Sequence, residues 1–245
     1  MGRRHVALWL SIMQPDPVGS ELQKLKSGPL RSQVFETLRD AIIAGNYQPG
    51  DALREISLAR ELGVSQNTVR EALLQLEQTG LVVRTPNKNT TVTRLSPSDI
   101  AERVSIRKAL EPLVCMAASE RMTAADFADL QACLDRITAA IVANSPFATS
   151  QADLSFHRRI WELSGRRFLY QVLDQTTLPL FAFVSLLRYR RSQSLTDVVL
   201  PHEEILNALR SGDRPEITRV IRTHLLRSYR EFVDSDALLP GEPNV

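Results

Sequence analysis

Residues 61–83, ELGVSQNTVREALLQLEQTGLVV, constrain the fold more than any other stretch. A helix ends at Leu62-Gly63, a short turn follows, and a second helix starts near Gln66. Val69, Ala72, Leu73 and Leu76 recur at helical spacing and form one inner stripe. The opposite face opens with Gln66, Asn67, Arg70 and Glu71. A short helix, a tight turn and a second helix with a polar outer end make a helix-turn-helix. A helix N-terminus favours anions and can sit against phosphate. The Gln66 and Asn67 amides can reach base edges, and Arg70 can reach guanine or phosphate.

The flanking sequence completes a small domain. Val34, Leu38, Ile42 and Ile43 form a helical stripe that stops at Gly45. The run YQPGDAL reads as a turn with Pro49-Gly50 at its bend, and Glu55–Leu62 as the short helix. After the second helix come two β-prone runs, Leu81–Arg84 and Thr90–Arg94, around the polar tip Asn87-Lys88-Asn89. Such a hairpin is a wing, and Lys88 at its tip can contact backbone or minor groove. The formal charge of the 245 residues is only +2, so local placement rather than bulk charge carries this reading.

The marks LR-x-x-I-x-x-G, PG-x-x-L, LA-x-x-LGVS and VREAL-x-x-L-x-x-x-GLV lie in residues 30–94. This stretch resembles the winged helix of the GntR family of bacterial transcription regulators. The resemblance implies DNA contacts by Arg70, with Ser65, Gln66 and Asn67 at or beside the other contact positions. Gln66 stands where the family usually has Arg, and Thr68 where it has Pro. Lys88-Asn89 stand where Arg-Gly is usual. An amide in place of a guanine-reading Arg suits adenine better, so the operator sequence is expected to differ.

From LSPSDI onward only helical patterns appear, in roughly six segments. Ser96 is a candidate cap with Pro97 at the first helical position. Breaks are expected near Met122-Thr123, Ser145-Pro146, Gly165, Ser192 and Gly212-Asp213, with kinks or breaks at Pro112 and Pro179. Ten glycines and 43% hydrophobic residues suit a mainly α protein with real cores. The expected organisation is a flexible arm over 1–28, a winged helix-turn-helix over 29–95, a helical bundle over 96–236 and a loose tail over 237–245. Residues 1–17 begin like a signal sequence, but Gln14-Pro15-Asp16-Pro17 replaces a cleavage site, so export is not expected. No apolar run reaches the ~18 residues of a membrane span. Cys115 and Cys133 lie in helical patterns and read as small apolar core residues of a chain in a reducing cytosol.

Four polar groups fall on core faces of this second domain. Asp153 and His157, spaced i,i+4, share a face with Phe156 and Ile160. His202 shares one with Ile205, Leu206 and Leu209, and His224 shares one with Ile217, Val220 and Ile221. Each polar group buried without a partner costs ~1–3 kcal/mol. One divalent metal per subunit would satisfy all four, and His₃Asp is a credible ligand set for Zn²⁺, Ni²⁺ or Mn²⁺ with a position open to a further ligand. Arg107 shares a face with Val104, Glu111 and Val114. It can pair with Glu111, or hold a small carboxylate bidentately.

The elements R-x-x-LE, DLSFH, PHEEIL, ALRSGD and THLL make residues 99–233 resemble the ligand-binding domain of the FadR subfamily. The resemblance implies a metal held by an Asp and three His in this order, all four positions being filled. It also places Arg107 where an effector-contacting Arg is frequent, and it implies a homodimer. Arg166 replaces the Asn usual after LSG. Together these features describe a cytoplasmic, nucleoid-associated transcription regulator, expected to be a repressor. It would bind a palindromic double-stranded operator and respond to a small organic acid. The alternative is a metal-dependent hydrolase with an appended interaction domain, although no general base can be placed on the sequence. A third possibility is a purely structural metal.

Overall fold

The computed structural model describes residues 30–85, 89–191 and 199–233, and the side chains of these except 184–191 and 231–233. The chain divides into two compact units. One runs to Arg94 and takes in Phe181–Arg191; the other takes Leu95–Leu180 and the segment from Ser192 onward. The expected arm and tail, the wing tip with Lys88, and the break at Ser192 fall outside the described residues.

The first unit holds α1 (Leu30–Ile43), β1 (Ala52–Leu53), α2 (Glu55–Leu62), α3 (Gln66–Gln78), β2 (Val82–Arg84) and β3 (Thr90–Val92). Helix α3 packs on α1, α2 and β2. Its stripe Val69, Ala72, Leu73 and Leu76 is fully buried, against Val34 and Leu38 of α1 and Leu58 of α2 in the same core. Gly63 ends α2 in the left-handed region at φ +66°, and its N–H donates to the Ala59 carbonyl. That conformation is open to Gly and strained for most residues, so it fixes the sharp corner into α3. The wing hairpin is present. The run read as a turn, YQPGDAL, supplies a third strand as well: Ala52 and Leu53 pair antiparallel with Thr91 and Thr90, giving the order β1-β3-β2. A two-residue strand has too little alternation to be read from sequence, and its partner is formed by residues far along the chain.

The second unit is helical: α4 (Pro97–Ser119), α5 (Ala124–Val142), α6 (Pro146–Leu163), the part of α7 (Arg167–Arg191) up to Leu180, α8 (Val199–Ser211) and α9 (Arg214–Val233). Ser96 and Asp99 form a reciprocal capping box at α4, with Pro97 in the first turn. Thr123 and Asp126 do the same for α5, and Ser145 caps α6. Helix α4 packs on α6, α8 and α9, and α5 on α6 and α8. The expected breaks near Met122-Thr123, Ser145-Pro146, Gly165 and Gly212-Asp213 all coincide with helix junctions, Pro146 being the first residue of α6. Pro112 and Pro179 do not break theirs: α4 and α7 run through them. The interruption lies instead in α9, where Tyr229 takes non-helical angles of φ −122° and ψ 15°. Both prolines are buried, so packing holds the helices across the lost N–H.

Candidate functional site

The exposed end of α3 carries the sequence-predicted reading residues. Ser65 is the N-cap, and its hydroxyl accepts from the Thr68 N–H at 3.1 Å. Gln66, Asn67 and Arg70 are exposed around the first turns. Asn67 Nδ2 donates to Glu71 Oε1 at 3.3 Å. The structure thus groups Ser65, Gln66, Asn67 and Arg70 at one end of one helix, with Ser65 occupied in capping. Sequence reading missed a partner of Arg70. Glu55, in the first turn of α2, accepts from Arg70 Nε at 3.1 and 3.2 Å and from Nη2 at 2.8 Å. The Glu55 hydrogen bond and charge raise the guanidinium pKa further. No helical spacing links residues on two different helices; only the corner at Gly63 joins them.

In the second unit the histidines converge. His157 comes from α6, His202 from α8 and His224 from α9, and one ring nitrogen of each lies within 4.8 Å of the others. Arg107, His157 and His202 are each 1% exposed, and Glu111 is fully buried. Asp153 Oδ1 lies 2.9 Å from His202 Nε2 and 3.4 Å from His157 Nε2. Burial would raise the Asp153 carboxyl, but the His202 imidazole and hydrogen bonds from His157 and His202 hold it well below the usual carboxylate range. Burial, with the neighbouring His202 and His157 rings, drives the His224 imidazole well below the ordinary histidine range. Its Nδ1 is buried with no hydrogen-bond partner among the described residues. Three neutral-capable imidazoles, a carboxylate bridging two of them and a partnerless ring nitrogen fit a divalent cation.

Arg107 Nε donates to Glu111, and Nη1 donates to the Tyr229 hydroxyl at 2.7 Å. Burial opposes the guanidinium charge, but Glu111 and Tyr229 outweigh it and raise the pKa. The Glu111 pairing expected as one alternative is therefore formed. The other carboxylate oxygen of Glu111 lies 3.6 Å from His157 Nδ1, so this pair borders the histidine cluster. Sequence reading did not find Tyr229, which stands at the interruption of α9. It also did not find Trp161, one helical turn beyond His157, with ring centroids 6.2 Å apart. Trp161 is fully buried and its Nε1–H has no acceptor among the described residues. A spacing of 150, 153, 157 and 161 along α6 is the signal that could have grouped Ser150 and Trp161 with the metal residues.

A winged helix-turn-helix joined to a helical domain with an interior polar cluster is the build of a DNA-binding transcription regulator. The chain belongs to the bacterial regulatory proteins of the gntR family, whose description matches residues 30–92, and it carries an FCD domain over residues 102–227. It is 30% identical over 195 residues to an uncharacterized HTH-type transcriptional regulator in an unstable DNA locus of Streptomyces ambofaciens, covering 80% of this chain and 81% of that one. It is 24% identical over 208 residues to the HTH-type transcriptional repressor RspR of Escherichia coli, covering 84% and 90%. The solved structure of E. coli McbR/YncC shares the fold at a TM-score of 0.74 and 23% identity, over 85% of this chain and 99% of that chain. Family and relatives are transcription regulators, which leaves the hydrolase reading without support. Among the described residues no helix is long and apolar enough to cross a membrane.

Proposed function

We propose that this regulator is a repressor whose hold on a palindromic operator is set by a small organic acid bound in the helical domain. The observation that carries the reading is the convergence of His157, His202 and His224 from three helices beside Asp153. These four residues would hold one Zn²⁺, Ni²⁺ or Mn²⁺ per subunit. When bound, the ion offers a Lewis-acid position to a carboxylate. Arg107 would meet the acid's far end, which requires it to share or give up Glu111 or Tyr229. Trp161 Nε1–H supplies a buried donor that an acceptor on the acid could satisfy. A repressor among the relatives supports the sense of regulation.

On the DNA side, Gln66, Asn67 and Arg70 would read base edges, Ser65 would hold the helix end against phosphate, and Lys88 would contact the backbone. Pairing of two subunits would place two reading helices on one face of the duplex. The outer face of α4 supports a homodimer, because Ile106 and Leu113, spaced i,i+7, are 41% and 50% exposed. Working on DNA, the protein would act in the bacterial cytoplasm.

One experiment tests the whole reading. Duplexes selected by the purified protein from a random library serve as operator, and carboxylic acids are screened for loss of binding. Stoichiometric metal by elemental analysis, and acid-dependent release that vanishes with a chelator and returns with added metal, are the expected results. Release that is indifferent to chelation would overturn the metal-bound effector.

A further inference from the structure

We propose that Glu55 is a positioning residue that commits Arg70 to the edge of a guanine rather than to the phosphate backbone. This rests on α3 being the DNA-reading helix. A guanidinium presents five N–H donors in one plane. Glu55 occupies the side edge: Nε–H is shared between its two oxygens at 3.1 and 3.2 Å, and one Nη2 proton goes to Oε2 at 2.8 Å. Both Nη1 protons and the second Nη2 proton are left on the end edge. Two of these point forward, from neighbouring nitrogens in a fixed plane. That edge matches N7 and O6 of guanine, which are both acceptors.

Charge supports the same assignment. Phosphate attracts a cation from any direction, but Arg70 and Glu55 together carry none. The pair therefore gains little from the backbone, while its aligned donors still suit a neutral base edge. Adenine offers N7 but sets an amino donor beside it, and cytosine offers a donor, so the held fork clashes with both. Glu55 lies in the first turn of α2 and Arg70 on α3, so the corner at Gly63 fixes the fork relative to the groove-facing end. Arg70 is half exposed, as a side chain held for a ligand outside the protein must be.

The test uses full-length protein and a duplex that it selects from a random library. Binding is measured by anisotropy for that duplex, for versions with each G·C pair changed to A·T, and for a random duplex, at several salt concentrations. The wild type should discriminate about tenfold or more at one symmetric guanine. Glu55→Gln should cut that to threefold or less while binding the random duplex as well or better. It should also steepen the salt dependence by about one ion per subunit, as the freed cation turns to phosphate. Glu55→Asp, which withdraws the carboxylate by one methylene, should give the same loss and covers the case in which Glu55→Gln fails to fold. Discrimination retained in the Glu55 variants but lost in Arg70→Ala would overturn the positioning role alone. Retention in Arg70→Ala would instead remove Arg70 from the reading end. Tighter binding by Glu55→Gln with an unchanged base preference would make Glu55 a competitor of DNA and overturn the proposal.

Discussion

A buried guanidinium is tolerable only when its charge is answered, and Arg107 shows the consequence. Its pair with Glu111 lies in the interior beside the histidines, with Tyr229 as a further acceptor. Removing one partner strands the other. Glu111→Ala should therefore cost roughly 3–5 kcal/mol in urea unfolding, while the double change Arg107→Met with Glu111→Leu should cost much less. A cost for the double change equal to the single one would show that packing, not the charge, was lost. His202→Ala should abolish stoichiometric metal and remove the rise in melting temperature that added Zn²⁺ gives the wild type. A ligand at a hundred times its Kd is worth about 2.7 kcal/mol of folding free energy, so the absence of any difference between the two proteins would exclude His202 as a ligand. At the reading end, Arg70→Ala should weaken operator binding by ~1–3 kcal/mol at matched salt.

Helix ends carry much of the definition of the second unit. Ser96 and Asp99 exchange hydrogen bonds with each other's backbone N–H at the start of α4. Ser96→Ala should lower stability by ~1 kcal/mol. The Asp99 carboxyl is held below its ordinary range chiefly by its hydrogen bond from Ser96. Its folded pKa is thus lower than its unfolded one of about 3.9. The unfolded chain binds more protons there, so this stabilisation is present above that range and is lost as pH falls through the depressed value. Asp99→Asn should flatten the acid limb of a stability-pH curve, and an unaltered limb would show that other carboxylates govern it. Ser96 was legible as a cap because a Ser directly before Pro97 and a helical run is a local pattern, although its partner Asp99 was not read. The core-facing histidines were legible for the same reason, since helical periodicity places a side chain on a face without knowledge of its partner. The strand Ala52–Leu53, the Glu55–Arg70 pair and the Tyr229–Arg107 bond were not, because each joins residues that only tertiary packing brings together. Of the kink or break expected at Pro112 and Pro179, the break is not formed: local chemistry argues for one, and burial overrides it.

At the level of the whole molecule, the chain divides into two compact units after Arg94, with Phe181–Arg191 grouped with the first, and the switch at Ser96 to helical periods only is the sequence signal nearest that boundary. Subunit pairing is the property that no periodicity reports. If the outer face of α4 makes the contact, Leu113→Asp should give a monomer in sedimentation at micromolar concentration, and with it a steep loss of operator affinity. A dimer that survives this change would place the interface elsewhere. The three-stranded sheet bears on how firmly the hairpin is seated. Because β3 is bonded on one edge to β1 and on the other to β2, its register is held by two ladders as well as by the turn that joins β2 to β3. A strand bonded on both edges can slip only by breaking two sets of backbone hydrogen bonds at once.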